Sequence, residues 1–263
     1  MAGDRGRGFH MVVAVMYVFL LAPIAIVVPL SFSGDTYLGF PPESWSTRWY
    51  GAMLRHDGLV RAFRTSLGVA GLVTVLSLAT GVPAAFALAR GGFRGRDFLA
   101  TFFTAPLLLP SVILGLAMLL SFSSQGLLGT YPGLVLAHLV LCTPYVVRIM
   151  TTALTTLAPG LEEAAATLGA SPWMVFRRVT VPLVMPAVAA SAALSFLISF
   201  DEVVVSLFVT GPRLATLPVE IFNYVDTRTD PLIAAVSVTL VTVTLVGVVL
   251  IERTVGLRRA VGG

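Results

Sequence analysis

Six runs of mostly apolar residues constrain this chain more than anything else in it, because about twenty helical residues at 1.5 Å rise cross a bilayer's hydrocarbon core. They extend from His10 to Leu30, Thr65 to Ala89, Phe98 to Ser121, Pro132 to Leu154, Leu183 to Val209 and Pro231 to Ile251. In lipid each backbone N–H and C=O must be bonded internally, so the runs are expected as helices. With 57% hydrophobic and only 11% charged residues, the chain is far poorer in charge than a soluble domain, where about a quarter of residues are charged. The expected fold is an all-α integral membrane protein of six transmembrane helices, one domain over residues 1–263.

The same composition excludes several chemistries. All 17 basic residues are Arg, so the chain lacks the Lys of a Walker A phosphate loop and any Schiff-base Lys. Cys142 is the single cysteine and can form no internal disulfide, while His10, His56 and His138 are too scattered for a metal cluster. An intramembrane enzyme needs converging nucleophile, base or metal ligands, and His138 and Cys142 offer neither. No catalytic residue, metal or bound cofactor is expected here, and no nucleic-acid partner.

Arg5 and Arg7 before the first run resemble a signal peptide, but its apolar core exceeds the roughly 7–15 residues of such segments, so an uncleaved span is expected. With the N-terminus cytoplasmic, eleven arginines fall inside (Arg5, Arg7, Arg90, Arg94, Arg96, Arg148, Arg177, Arg178, Arg253, Arg258, Arg259) and six outside, which favours both termini inside. The outer loop from Ser33 to Arg64 carries Trp45, Trp49 and Tyr50, rings that settle at headgroup level, and a short surface helix is expected from Thr47 to Leu54. Pro23, Pro83, Pro106, Pro110, Pro144 and Pro186 inside the spans suggest bent helices around a cavity.

The polar cytoplasmic loop, about residues 156–182, carries its own local code. Pro159 and Gly160 interrupt the fourth span's helix, and the Ala-, Leu- and Glu-rich stretch from Leu161 to Leu168 resumes one. Gly169 suits a left-handed C-cap; Ser171 with Pro172 is an N-cap with proline at the first helical position, starting a second short helix through Arg178 that Pro182 stops. The product is a helix-turn-helix knob, small-faced at Ala164, Ala165 and Ala166.

Glu163-Ala164-Ala165, three residues, Gly169, nine residues, then Val179-Thr180-Val181-Pro182 resembles the EAA loop of ATP-binding-cassette (ABC) importer permeases, with Val179 and Val181 in place of the usual Ile and Leu. The resemblance implies a type I ABC importer permease fold. It implies that Glu163, Ala164, Ala165, Gly169 and Pro182 couple the chain to a separate ATPase that binds ATP and Mg. From Ser199 to Thr239 the chain resembles the spermidine/putrescine-type permeases, with an acidic pair, then VVVSLFVTGP, then LPVEIF. This implies a heterodimer with a second permease, an ATP-binding subunit dimer and an extracytoplasmic substrate-binding protein, in a bacterial inner membrane.

The acidic pair stands on its own as well. Asp or Glu at a membrane-helix centre costs about 2.5–3.5 kcal/mol on insertion scales, so such residues usually face a partner or a water-filled path. On a continuous helix Ser191, Ser195, Ser199, Glu202 and Ser206 form one polar stripe, which is expected to line a route, with Asp201 about 100° beyond its edge. Helical geometry prefers Glu202, and the resemblance prefers Asp201 and Ser199; all three are candidates for the substrate pathway. The paired carboxylates match a polyamine-like cation. The alternatives are another small solute or an ion-coupled secondary transporter, which normally shows internal repeats that are not evident here. His138 is expected as an interhelical hydrogen bonder, and Arg148 to snorkel to the cytoplasmic interface.

Overall fold

The computed structural model describes residues 3–255, with side chains over 9–158 and 160–247. Arg258 and Arg259 lie outside the described residues, as do the side chains of Arg5, Arg7 and Arg253 and with them the expected C-terminal orientation. The described residues form helices α1 (Gly3–Ser31), α2 (Arg48–Arg55), α3 (Asp57–Arg90), α4 (Arg96–Thr104), α5 (Ser111–Ser123) and α6 (Tyr131–Thr156). Then come α7 (Pro159–Thr167), α8 (Pro172–Val175), α9 (Val181–Asp201), α10 (Val204–Val209), α11 (Leu217–Thr227) and α12 (Leu232–Val255). Among the described residues there is no strand beyond the isolated bridges Ser33 to Trp45 and Gly211 to Leu214.

Among the described residues four helices are long and apolar enough to cross a membrane: Phe9–Ser31, Asp57–Arg90, Tyr131–Thr156 and Pro172–Asp201. Two expected spans are not straight. The third is split into α4 with a short 3₁₀ turn and α5, bent by 105°. Pro110 forces Leu109 into an extended conformation (φ −93°, ψ 136°), because the proline ring excludes helical angles at the residue before it. The fifth ends at Asp201 and resumes as α10, with Glu202 extended at ψ 113°. The sixth is apolar over Leu232–Gly247, shorter than a full crossing within the described side chains.

Contacts sort the chain into two compact units, Met1–Val60 with Ile221–Val249 and Arg61–Glu220 with Leu250–Gly263. In the first, α1 is apolar all round and its membrane window is 0% buried, as befits a helix whose solvent is lipid or another subunit. Its outer loop is organised by Asp35, whose carboxylate accepts hydrogen bonds from the Ser44 hydroxyl (2.7 Å), the Ser33 hydroxyl (3.0 Å) and the Glu43 N–H (3.0 Å). The Ser44 hydroxyl, then the Glu43 amide, hold the Asp35 carboxyl below its ordinary value of 3.8. The expected surface helix is α2; Leu38 N–H bonds Thr229 C=O (2.9 Å), and the Tyr224 hydroxyl donates to Asp230 (2.8 Å).

In the second unit α6 is the central helix, with 56% of its membrane window buried. Val69 and Val73 of α3 pack on its Leu134, Val135 and Cys142; Ala85 of α3 and Val184 of α9 pack on its Val146, Met150 and Leu154. Leu114 and Met118 of α5 and Val205 and Val209 of α10 pack on its Ala137. Without a hydrophobic driving force between helices in lipid, such packing relies on close approach at small residues. Gly81 of α3 provides one: a Cβ there would lie 2.8 Å from Val146 Cγ1.

Two outcomes follow for the fold. Gly81→Val should lower the detergent-solubilised melting temperature through a loss of about 1–3 kcal/mol, the usual range for overpacking. Gly71→Ala, on the same helix with open space around it, should hold or raise it by helix propensity. In the outer loop, a carboxyl with a depressed folded pKa contributes order above its unfolded value of 3.8 and loses it as pH falls through the lower folded value. Protease access to residues 33–47 should therefore rise as pH falls from 3.8 through the lower folded value, and Asp35→Asn should raise it at neutral pH.

Candidate coupling loop and polar elbow

Beyond α6 the chain leaves the helix at Leu157 (ψ 131°) and starts α7 with Pro159 at its first turn. Gly169 closes α7 in the left-handed region (φ 84°), with Gly169 N–H on Ala166 C=O (2.9 Å) and Ala170 N–H on Ala165 C=O (3.1 Å). This is a Schellman cap, and only glycine enters it without strain. The Ser171 hydroxyl then accepts Met174 N–H (3.4 Å) to open α8. Here the expectation needs correction, because Pro182 does not stop the second short helix. Phe176–Thr180 form a π-helical turn, and the chain runs from Pro172 to Asp201 as one span. The wider turn absorbs the N–H that Pro182 lacks, one of the local adjustments by which membrane helices keep prolines. The second arm of the knob is thus the start of the fifth span.

Glu163, Ala164, Gly169 and Pro182 are exposed, and Ala165 is half-buried. Large apolar side chains join them at the surface: Leu168 is 88% and Trp173 67% exposed. Exposed apolar groups on an otherwise polar loop mark a contact surface. Glu162 turns the other way, as its neighbour Glu163 does not. Its carboxylate accepts the Arg90 guanidinium at the end of α3 (2.9 Å) and the Thr180 hydroxyl at the foot of α9 (2.7 Å). Trp173 stacks on Phe176 (5.5 Å between centroids), which meets Phe86 of α3 edge-on (5.4 Å). Phe86, Arg90, Glu162, Ala166, Phe176 and Thr180 line a cavity of about 530 Å³. The joint that ties the knob to two spans was not read from the sequence, since its partners Arg90 and Glu162 are 72 residues apart. The only local signal was the doubled Glu before the alanines.

The second constellation lies where α9 breaks. Glu202 Oε1 accepts Val205 N–H (2.9 Å), so this carboxylate caps the start of α10. Ser199, at 2% exposure, does not face solvent; its Oγ meets His138 Nδ1 (2.8 Å), and His138 Nε2 meets Ser206 Oγ (3.0 Å). The expected interhelical role of His138 is the observed one. The serine stripe packs against α6 within this chain: Ser191 and Ser195 are also buried there, and Cys142 Sγ contacts Ser195 C=O at 3.5 Å. The helix on which the straight projection was drawn breaks here, with Asp201 exposed at the last turn of α9 and Glu202 half-buried. Arg148 is exposed. Among the described residues no cluster of metal-ligating side chains occurs.

Residues 77–255 match the family model described as binding-protein-dependent transport system inner membrane component. The chain is 37% identical over 232 residues to the putrescine transport system permease protein PotI of Escherichia coli (strain K12), covering 84% of this chain and 81% of that one. It is 33% identical over 249 residues to the spermidine/putrescine transport system permease protein PotC of the same strain, covering 95% and 93%. In fold it resembles a chain of a bacterial ABC transporter involved in import of the acidic polysaccharide alginate, with TM-score 0.72, 18% identity and 97% of each chain covered.

The Glu162 joint makes a local prediction. A partly exposed ion pair and one hydroxyl bond together stabilise by about 1 kcal/mol, so Glu162→Gln should speed amide hydrogen exchange across residues 159–167 about fivefold. Reversing both charges, Arg90→Glu with Glu162→Arg, should recover most of the protection.

Proposed function

The chain belongs to the family of binding-protein-dependent transport system inner membrane components, and from that premise we propose that it forms half of the translocation pathway for a polyamine-like cation. It is a multi-pass permease subunit of an ABC importer and not an enzyme; ATP is hydrolysed by a separate subunit, and a substrate-binding protein delivers the solute. The proposed assembly pairs this chain, acting as one permease domain in a bacterial cytoplasmic membrane, with a distinct second permease. Below them sits a dimer of ATP-binding subunits that holds ATP and Mg.

Glu163, Ala164, Ala165, Gly169 and Pro182 form the surface on which the ATPase acts. The exposure of Glu163, Ala164, Leu168 and Trp173, beside a cap that only glycine completes, supports this reading. Small alanines permit close approach, and the loop is continuous with the fifth span, so a displacement imposed on it reaches the membrane directly.

The observation that carries the solute assignment is the acidic elbow inside an apolar span. Asp201 is exposed and has no hydrogen-bond partner among the described contacts, while Glu202 is half-buried and engaged at α10. An ammonium group losing water needs acceptors along its route, and Asp201 is placed to be one. Glu202 contributes charge and holds the break; Ser199 contributes through His138. Similarity to permeases named for putrescine and spermidine supports the same solute class.

In the reconstituted importer, Asp201→Asn should lower putrescine uptake about tenfold, equivalent to about 1.4 kcal/mol, with assembly and basal ATP hydrolysis retained. Unchanged uptake would remove this carboxylate from the pathway. For the coupling surface, Glu163→Arg with Gly169→Arg should abolish co-purification of the ATPase, and an intact complex would count against the assignment.

A further inference from the structure

We infer that His138 is a positioning residue for Asp201, a single imidazole that fixes both arms of the broken fifth span and so sets where the exposed carboxylate points. The inference rests on the reading that Asp201 faces the solute.

The break between Asp201 and α10 lies in the sequence FDEVVV, with neither proline nor glycine to impose it. A helix interrupted within the membrane releases backbone groups that lipid cannot satisfy. Glu202 recovers one, the Val205 N–H. That bond is local to the start of α10 and does nothing to hold α10 at a set angle to α9. His138 does, from a third helix. Its Nδ1 meets Ser199, two residues before Asp201, and its Nε2 meets Ser206, five residues after it, at 2.8 and 3.0 Å.

A neutral imidazole carries one donor and one acceptor, and a serine hydroxyl can complement either, so both bonds form in either tautomer. All three side chains are buried, with His138 and Ser206 at 0% exposure, and no water need mediate. The neighbouring hydroxyls of Ser191 and Ser195 are buried on the same α6-facing side with no hydrogen-bond partner. Bonding is therefore concentrated at the two serines that flank the break. Asp201 itself touches neither ring nor hydroxyl in any recorded bond; its position follows from the two arms that carry it. Glu202 is engaged by the Val205 N–H at the start of α10, which leaves Asp201 as the carboxylate free for a cation.

The test uses the complete importer in proteoliposomes, with saturating binding protein and putrescine as probe. His138→Phe keeps an aromatic ring, slightly larger than imidazole, and removes both bonds; His138→Gln restores one donor and one acceptor at similar reach. His138→Phe is expected to lower putrescine uptake per ATP hydrolysed about fivefold, a size common for side chains acting on one another. The ATPase should still co-purify, and His138→Gln should recover at least about half of the loss. In an Asp201→Asn background, His138→Phe should add almost nothing, because the group it positions is already neutral.

Multiplying losses in the double variant would overturn the proposal, since a merely structural histidine would act regardless of residue 201. So would unchanged uptake in His138→Phe beside an impaired Asp201→Asn, an outcome that leaves the pathway reading intact. Unchanged uptake in Asp201→Asn alone defeats the pathway reading and the positioning role with it. Should His138→Phe fail to assemble, Ser206→Ala removes one of the two bonds with a far smaller change, and the same non-additivity with Asp201→Asn decides the matter.

Discussion

Within the hydrocarbon core no water stands ready to bond a stray backbone N–H or C=O, and each departure of this chain from a straight helix is built around that scarcity. At Leu109 and Pro110 the missing donor belongs to proline itself. At Glu202 a carboxylate takes the amide that the break releases. At Phe176–Thr180 the helix widens by one residue per turn and carries on past Pro182. Outside the core, where water is available, the chain can afford an open link at Leu157 and a glycine-closed cap at Gly169. The foot of the knob and the acidic elbow, the proposed coupling surface and solute site, are both places where such a substitution has been made.

Around these irregular points the second unit is held by α6. Its faces receive α3, α5, α9 and α10 through Val, Leu, Ala and Met side chains, with Gly81 allowing one close approach. Within that apolar interior His138 and Cys142 of α6 face Ser195, Ser199 and Ser206. Buried hydroxyls bonded to an imidazole are more specific than alkyl packing, because a small rotation of either helix breaks them. They mark the register of α9 and α10 on α6.

Much of this was legible in the sequence where the code is local. Gly169, Ser171 with Pro172 and the surface helix α2 all follow from residues within a turn of the feature they produce. Apolar runs identified the membrane character and most of the spans. Proline was a weaker guide: Pro110 breaks its span, while Pro83 and Pro144 remain inside α3 and α6. Those cases are decided by what packs alongside, which no single segment encodes. The break at Glu202 had no such marker, so a helical projection drawn straight through it treats α9 and α10 as one helix, which they are not. Its supports, like the Arg90 partner of Glu162, lie more than sixty residues away in the chain.

The fusion of α8, the π turn and α9 has a geometric consequence. From Pro172 to Asp201 the span holds 30 residues, about 45 Å of rod at 1.5 Å per residue. A tilt of about 5° at its Pro172 end would sweep the far tip sideways by about 4 Å on that length, more than the diameter of a water molecule. On the proposed coupling, a subunit pushing on Trp173 need not transmit force through a chain of contacts. It has only to lean the rod, and the carboxylate at the tip travels.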